Sequence, residues 1–414
     1  MKKTINQLVS LLSLLLLGCT EPYALQTETF ESALVIEATI TDEYKFQEIK
    51  LSRTYRLEED GPESEVGAVV YVTDSNGNRY DFTENGDKYI SQQEFAASAG
   101  INYQLHIATS DGKIYNSTAE KLNSTTNIED LEVVKGTNSH EENGLQIFAR
   151  STPSSGATEY YRYVYEETNK VISPHWISQR GIVLPILPTP PEDPTEYVVM
   201  EPWPYEAKIC YSTEDSKEIL LGTTSTNTST SNNFPIRFLK DTDYKIANRY
   251  TIKVTVYNES LAAYNYYDAL KKTAAGGSLL SQNQPGFYNG NIKNATNPIE
   301  KVIGFFDVAH VSSKRIFFNF EEYYPNQEKP DYPYYCPKMT LDNEHEFKYR
   351  YCFCYGQPNC PNNPICGGFY VLTTVKNREK AVYIFGNEFI HLTNIQCGDC
   401  TSFSSNIRPS FWID

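Results

Sequence analysis

The chain has 414 residues and carries 36 Lys and Arg against 52 Asp and Glu, a formal net charge of −16. That balance disfavours nucleic acid as a partner and charge-driven adsorption to an anionic lipid surface, and the length suits two or three domains. Tyrosine is abundant at 32 and methionine scarce at 3; a tyrosine joins a large flat ring to a polar tip, which suits both sheet faces and binding surfaces.

Residues 1–18 read as a secretory signal. Lys2 and Lys3 open it, an apolar run from Leu8 to Leu17 follows, and Gly18 stands before Cys19. These are the basic start, short apolar core and small residue that export uses. The run is too short for a permanent span of about 20 apolar residues, and its ending, LLSLLLLGC, is the order at which bacterial lipoproteins are cut and acylated. Cys19 is the expected lipidation site, and acyl chains worth about 0.8 kcal/mol per buried CH₂ anchor stably. Residues 19–31 form a polar, aperiodic spacer. No later stretch is apolar enough to span, so the expected protein is a soluble body tethered to a membrane by lipid.

Strand signals begin at 33–40 and continue at 46–55, 69–73, 79–82, 103–107 and 113–115. The pairs Asn76-Gly77, Asn85-Gly86 and Asp111-Gly112 mark tight turns between them. Turns at this spacing without a long helix predict an antiparallel β-sandwich of immunoglobulin-like size over 32–124. Asp74, Asn76 and Asn78 also resemble the start of a calcium loop, but Gly77 is misplaced and Asn85 stands where a bidentate Glu is required, so a hairpin turn is the better reading.

A second β-rich domain is expected over 125–414, with strands at 131–134, 145–148, 159–165, 207–211, 218–221, 235–238 and 250–257. Residues 174–204 interrupt it with eight of the 22 prolines and two of the three tryptophans, Trp176 and Trp203. Proline removes backbone donors, so this stretch reads as a long excursion from the sandwich. Trp176, Tyr197 and Trp203 are its candidate partner or ligand contacts. Residues 222–233 are a polar low-complexity loop. A helix is expected over 258–272, capped by Asn258, with Leu261, Tyr264, Tyr267 and Leu270 as its apolar stripe and Gly276 and Gly277 as its stop. Two strands follow, at 302–307 and 314–320, and then a Cys-rich tail over 336–414.

Beyond Cys19 eight cysteines remain: Cys210, Cys336, Cys352, Cys354, Cys360, Cys366, Cys397 and Cys400. An even number in an exported chain predicts disulfides. The spacings of Cys352 with Cys354 and of Cys397 with Cys400 also suit zinc, but the oxidising compartment and irregular spacing favour disulfides. The fold class is therefore all-β, as tandem immunoglobulin-like sandwiches with one inserted helix and a disulfide-rich C-terminal part.

Several pieces together resemble the Bacteroidota lipoproteins of domain-of-unknown-function family 4249 (DUF4249). They are the Gly18-Cys19 site, the strand 33–40, Lys271-Lys272 with Gly277, Gly290 to Ile292, the run VIGFF at 302–306, Ser312 to Arg315, Cys397 to Cys400, and Pro409 to Trp412. The resemblance implies an outer-membrane or surface lipoprotein of a kind commonly encoded beside TonB-dependent transporters, and hence a TonB-dependent outer-membrane transporter as partner.

No catalytic motif is found. The chain lacks His-Glu-x-x-His, Gly-x-Ser-x-Gly, a phosphate loop and a dinucleotide fingerprint, and its six histidines lack ligand spacing. No catalytic residue, metal ligand or cofactor is therefore assigned. The favoured reading is an accessory or substrate-binding subunit of a transporter. The alternatives are a free-standing surface adhesin or structural lipoprotein, and a surface hydrolase whose site is assembled from distant residues.

Overall fold

The computed structural model describes residues 32–56, 61–153, 158–185, 196–224, 232–275, 290–341, 374–384 and 390–414. Cys19, Cys352, Cys354, Cys360 and Cys366 lie outside the described residues. The protein is built from two β-sandwiches with one helix between them, as the sequence predicts.

The first sandwich begins with β1 (Leu34–Thr41), β2 (Glu48–Arg53), β3 (Val69–Asp74), β4 (Arg79–Asn85), β5 (Lys88–Ser91), β6 (Tyr103–Ala108) and β7 (Ile114–Ser117). They pair antiparallel in the order β1-β2-β5-β4-β3-β6-β7. Alternate residues point inward, so Leu34, Ile36, Ala38 and Ile40 of β1 meet Val70, Val72, Leu105 and Ile107 in one core. At the turn after β3 the Asp74 carboxylate accepts the backbone N–H groups of Asn76 and Asn78 at 2.9 Å. Its oxygens thereby close the hairpin.

The second sandwich contains β8 (Ile128–Thr137), β9 (Asn143–Ser151) and β10 (Tyr160–Ile172), followed by the hairpin β11 (Gln179–Pro185) and β12 (Glu196–Pro202). It continues with β13 (Ile209–Asp215), β14 (Leu220–Thr223), β15 (Asn232–Lys240) and β16 (Arg249–Glu259). The sheet β15-β9-β8 faces the sheet containing β10 and β16, and Leu145, Ile147 and Leu239 pack on Tyr163, Tyr250, Ile252 and Val254 between them. Within the excursion, 179–185 and 196–202 thus pair as a β-hairpin where the sequence suggests a loop. Pro185 and Pro202 sit at its strand ends, where a missing donor costs least.

Helix α1 (Leu261–Ala275) follows β16 directly. Its cap is Ser260, whose hydroxyl accepts the Ala263 N–H at 3.0 Å, and not Asn258. Asn258 is still in β16 and fully buried; its amide binds Thr126 and His310 across the junction, so it is unavailable to the helix. Beyond α1 come β17 (Ile292–Asn294), which adds to β7 of the first sheet, and β18 (Val302–Asn319).

β18 is one strand of 18 residues where the sequence suggests two. Its first half, Val302 to Ala309, pairs parallel with β1, and its second half, His310 to Asn319, pairs antiparallel with β16. At the change of partner Asp42, just past the end of β1, accepts the Val311 N–H at 3.0 Å and binds the His310 ring at 2.5 Å. Asn291 seals the free side of the first half, giving its amide to Phe306 O and accepting Phe306 N–H, both at 2.8 Å. There Gly304 has φ +148°, and a Cβ on it would lie 2.3 Å from Ile36 O, while a Cβ on Gly290 would lie 1.6 Å from Gly304 O.

The C-terminal part adds β19 (Met339–Leu341), β20 (Lys380–Ile384) and β21 (Ile390–Asn394) in the order β19-β21-β20. Two disulfides fasten it: Cys210–Cys400 and Cys336–Cys397. Cys397 and Cys400 therefore serve separate bridges. Between them a Cβ on Gly398 would meet Ala381 at 2.6 Å, and the buried Asp399 accepts Arg378 at 2.5 Å and Thr401 N–H at 2.9 Å. Trp412 closes the corner edge-on to Tyr211 and Phe317.

On the second sandwich Glu167 is buried with Arg237 Nε at 3.0 Å, Lys245 Nζ at 2.5 Å and Tyr250 OH at 2.7 Å. Burial works to raise its pKa, but the two cations and the hydroxyl outweigh it and hold the carboxyl below its ordinary 4.5. A depressed acid stabilises the fold fully above that ordinary value and loses the contribution as pH falls through the folded one. Glu167→Gln is expected to cost about 3–5 kcal/mol at pH 7, with the penalty shrinking below about pH 4.5; denaturant unfolding at several pH values measures both. Gly304→Ala combines a forbidden φ with a backbone clash and is expected to cost more than about 2 kcal/mol in the same assay.

Candidate functional site

Two of the contact candidates of the excursion, Trp176 and Trp203, lie by the base of the β11–β12 hairpin, and Tyr197 pairs with Leu184 towards its turn end. The Trp203 indole N–H donates to Ile177 O at 2.9 Å, next to Trp176, and its ring meets Tyr205 edge-on at 5.5 Å. Arg180, paired with Glu201 at 2.6 Å, lies 5.9 Å from both ring centroids. Trp176 is half-buried with Lys208 Nζ 5.4 Å from its ring. Tyr197 is in β12, but its side chain lies outside the described residues. Trp203 thus fastens the hairpin base through Ile177, whereas Trp176 lies beside Lys208 and its buried indole N–H meets no acceptor among the described residues.

A larger feature lies between the sandwiches. The outer faces of β1 and β2 form the floor of a cleft of about 820 Å³, α1 overhangs it, and β10 and β16 close its end. Strand alternation decides which side chains reach it. On β16 the even positions Ile252, Val254 and Val256 fill the core, leaving Tyr257 and Glu259 on the helix side. By the same rule β10 buries Tyr161 and Tyr163 in the core and presents Arg162 outward. Phe305 of β18 packs under Ala263 and Tyr266 of α1, so Asp307, two residues on, falls on the same side.

Arg162 is the centre of this group. Its Nε donates to Glu259 Oε1 at 2.6 Å, and its Cζ lies 4.4 and 4.5 Å from the ring centroids of Tyr257 and Tyr267. The Glu259 side chain is fully buried and that of Arg162 is 15% exposed. Neither terminal amino group of Arg162 donates to an acceptor among the described residues. Burial opposes the charge on Arg162, but Tyr267 and Glu259 restore it and keep the guanidinium ionised.

Asp307 is fully buried, and neither of its oxygens meets a donor. Burial, and then the charge of Glu259, raise its pKa well above 3.8. Two carboxylates in one dry site oppose each other's ionisation, which pushes Asp307 towards its protonated form. Burial also pushes the Tyr266 hydroxyl up to about 12, which leaves it a neutral donor above the cleft floor. The arrangement is a pre-organised guanidinium beside aromatic rings, at the end of an open cleft.

None of Arg162, Tyr257, Glu259 and Asp307 was singled out by motif. Their signals were an acid inside the apolar run VIGFFDVA and a lone Arg among the tyrosines of YYRYVY. Both are charges at positions that pattern as buried, and such charges need a partner.

With the Asp307 carboxyl pushed towards its neutral form, Asp307→Asn is expected to cost less at pH 7 than Glu259→Gln, which leaves Arg162 without its counter-charge and costs about 3–5 kcal/mol. A raised carboxyl favours the folded state at low pH and works against it as pH climbs from about 3.8 towards the folded value. Asp307→Asn should therefore gain on the natural chain as pH rises. Denaturant titrations of both variants check this, and equal costs would mean that Asp307 is ionised.

No curated protein matches the sequence. Residues 20–315 match the family model described as Domain of unknown function (DUF4249), from the spacer through the junction half of β18, and the chain belongs to that family.

Proposed function

We propose that the protein is an outer-membrane-anchored lipoprotein of the Bacteroidota that serves as an accessory or substrate-binding subunit of a TonB-dependent transporter. The observation that carries the binding role is the cleft between the sandwiches. It is concave, carries aromatic side chains beside charged ones, and holds one guanidinium fixed between rings, features that suit a small-molecule site. The lipid anchor rests on the signal ending at Gly18-Cys19, and the transporter rests on what the family resemblance implies.

The role is binding rather than catalysis in this reading. Glu259 and Asp307 do not line the cleft; Glu259 holds Arg162 from behind, and Asp307 is buried beside Glu259. The β11–β12 hairpin is the partner-facing arm, with Trp176, Tyr197 and Trp203 as its contact residues.

A mild-detergent pull-down of the tagged protein from its own outer membrane, with stoichiometry read by mass spectrometry, tests the reading. A TonB-dependent barrel recovered near one to one is expected, and a triple alanine variant at positions 176, 197 and 203 should recover less of it while still folded. The lipoprotein recovered alone would favour the adhesin instead.

A further inference from the structure

Four cations line the cleft: Lys45, Lys50, Lys88 and Arg162. The three lysines are each spoken for, by Glu43 at 2.8 Å, Asp87 at 3.4 Å and Glu48 at 2.7 Å. Arg162 differs. A guanidinium has five N–H donors, and among the described residues only the one on Nε finds an acceptor. The other four belong to the terminal fork, which fits a carboxylate through two parallel hydrogen bonds. The rings of Tyr257 and Tyr267 and the single bond to Glu259 hold that fork in place before any ligand arrives, which lowers the ordering cost of binding.

The rest of the cleft defines the other end of a ligand. Tyr266 and the exposed Phe46 offer flat apolar surface. Glu37, exposed on the β1 face, offers an acceptor to a ligand N–H or O–H.

We infer that the cleft binds a small ligand in which a carboxylate stands beside a ring and a hydrogen-bond donor, the carboxylate taken end-on by Arg162 and the ring lying against the tyrosines. One such chemistry is shared by the uronate residue of a glycan and by the aromatic C-terminus of a peptide. The inference rests on the substrate-binding part of the function proposed above and names its substrate class. Glu259 takes only the Nε donor of Arg162, so the guanidinium keeps its terminal fork for a further anion.

The test is isothermal titration of the purified full-length protein in mild detergent. The probes are digalacturonate with its methyl ester, and N-acetylphenylalanine with its amide. At least one acid should bind, with its neutral counterpart at least about 10-fold weaker, and the acid that binds identifies the source. Arg162→Lys keeps the charge but loses the fork, and should cost the acid about 10-fold while barely moving the ester or amide. Thr39→Trp, which fills the cleft floor without touching Arg162, should abolish binding and serves if the Arg162 variant does not fold. Equal affinity for acid and neutral form, no binding of either acid at millimolar concentration, or binding that survives Thr39→Trp would overturn the inference. Carboxylate binding by a protein that captures no barrel removes the transporter and leaves the inference standing; a captured barrel with no carboxylate binding does the reverse.

Discussion

The space between the two sandwiches exists because β18 changes partners at Ala309 and His310 without ending. At about 3.3 Å per residue an 18-residue strand runs roughly 60 Å, long enough to serve both domains in turn. Its even positions fill both cores, with Val302, Phe306 and Val308 in the first and Phe318 in the second. Its odd positions face outward throughout. Phe305 lies under the helix, while Phe317 meets Trp412 and Arg315 lies 3.6 Å from the Phe411 ring. A one-residue slip would exchange these sets, so the register of β18 fixes the helix, the cleft and the C-terminal corner together.

Asp42 and Asn258 make the change of partner affordable in hydrogen bonds. Once β1 ends, the Val311 N–H loses its ladder partner, and the Asp42 carboxylate replaces it. Asn258, at the far end of the β16 ladder, binds Thr126 and the His310 carbonyl. Buried backbone groups left without partners would each cost about 1–3 kcal/mol, and here side chains from both sandwiches supply the partners. The polar run His310 to Ser313 thus sits where sheet hydrogen bonding changes hands.

Local pattern carried most of the fold and little of the site. Alternation and turn chemistry were enough for β1 to β4, β6 and β7, because each depends on neighbours close in sequence, while β5 was marked only by the Asn85-Gly86 turn before it. The polar residues at 310–313 read as a break, since nothing local reveals that Asp42 and Asn258 wait for them. The parallel pairing of β1 with β18 joins residues 268 apart, such as Leu34 and Val302, a contact beyond any short window. Prolines hid the β11–β12 hairpin because a proline is forbidden only where its missing donor is needed, and Pro185 and Pro202 are at strand ends. Arg162 and Asp307 escaped a motif search because three strands and a helix bring their group together.

The C-terminal part completes the second sandwich, although the family match ends at residue 315, inside β18. Cys210 of β13 is bonded to Cys400, so the edge of the β10 sheet is covalently tied to the tail. Tyr211 of the same strand packs on Trp412 and pairs its backbone with Ser405. Without the tail, Phe317 and the outer face of β13 would be left bare next to Arg315. With it, one end of the outer face of the β10–β16–β18 sheet is covered by the disulfide-tied corner and the other by α1. The cleft, with Arg162 at its end, lies on the helix side of that division, and no described residue of the tail lines it.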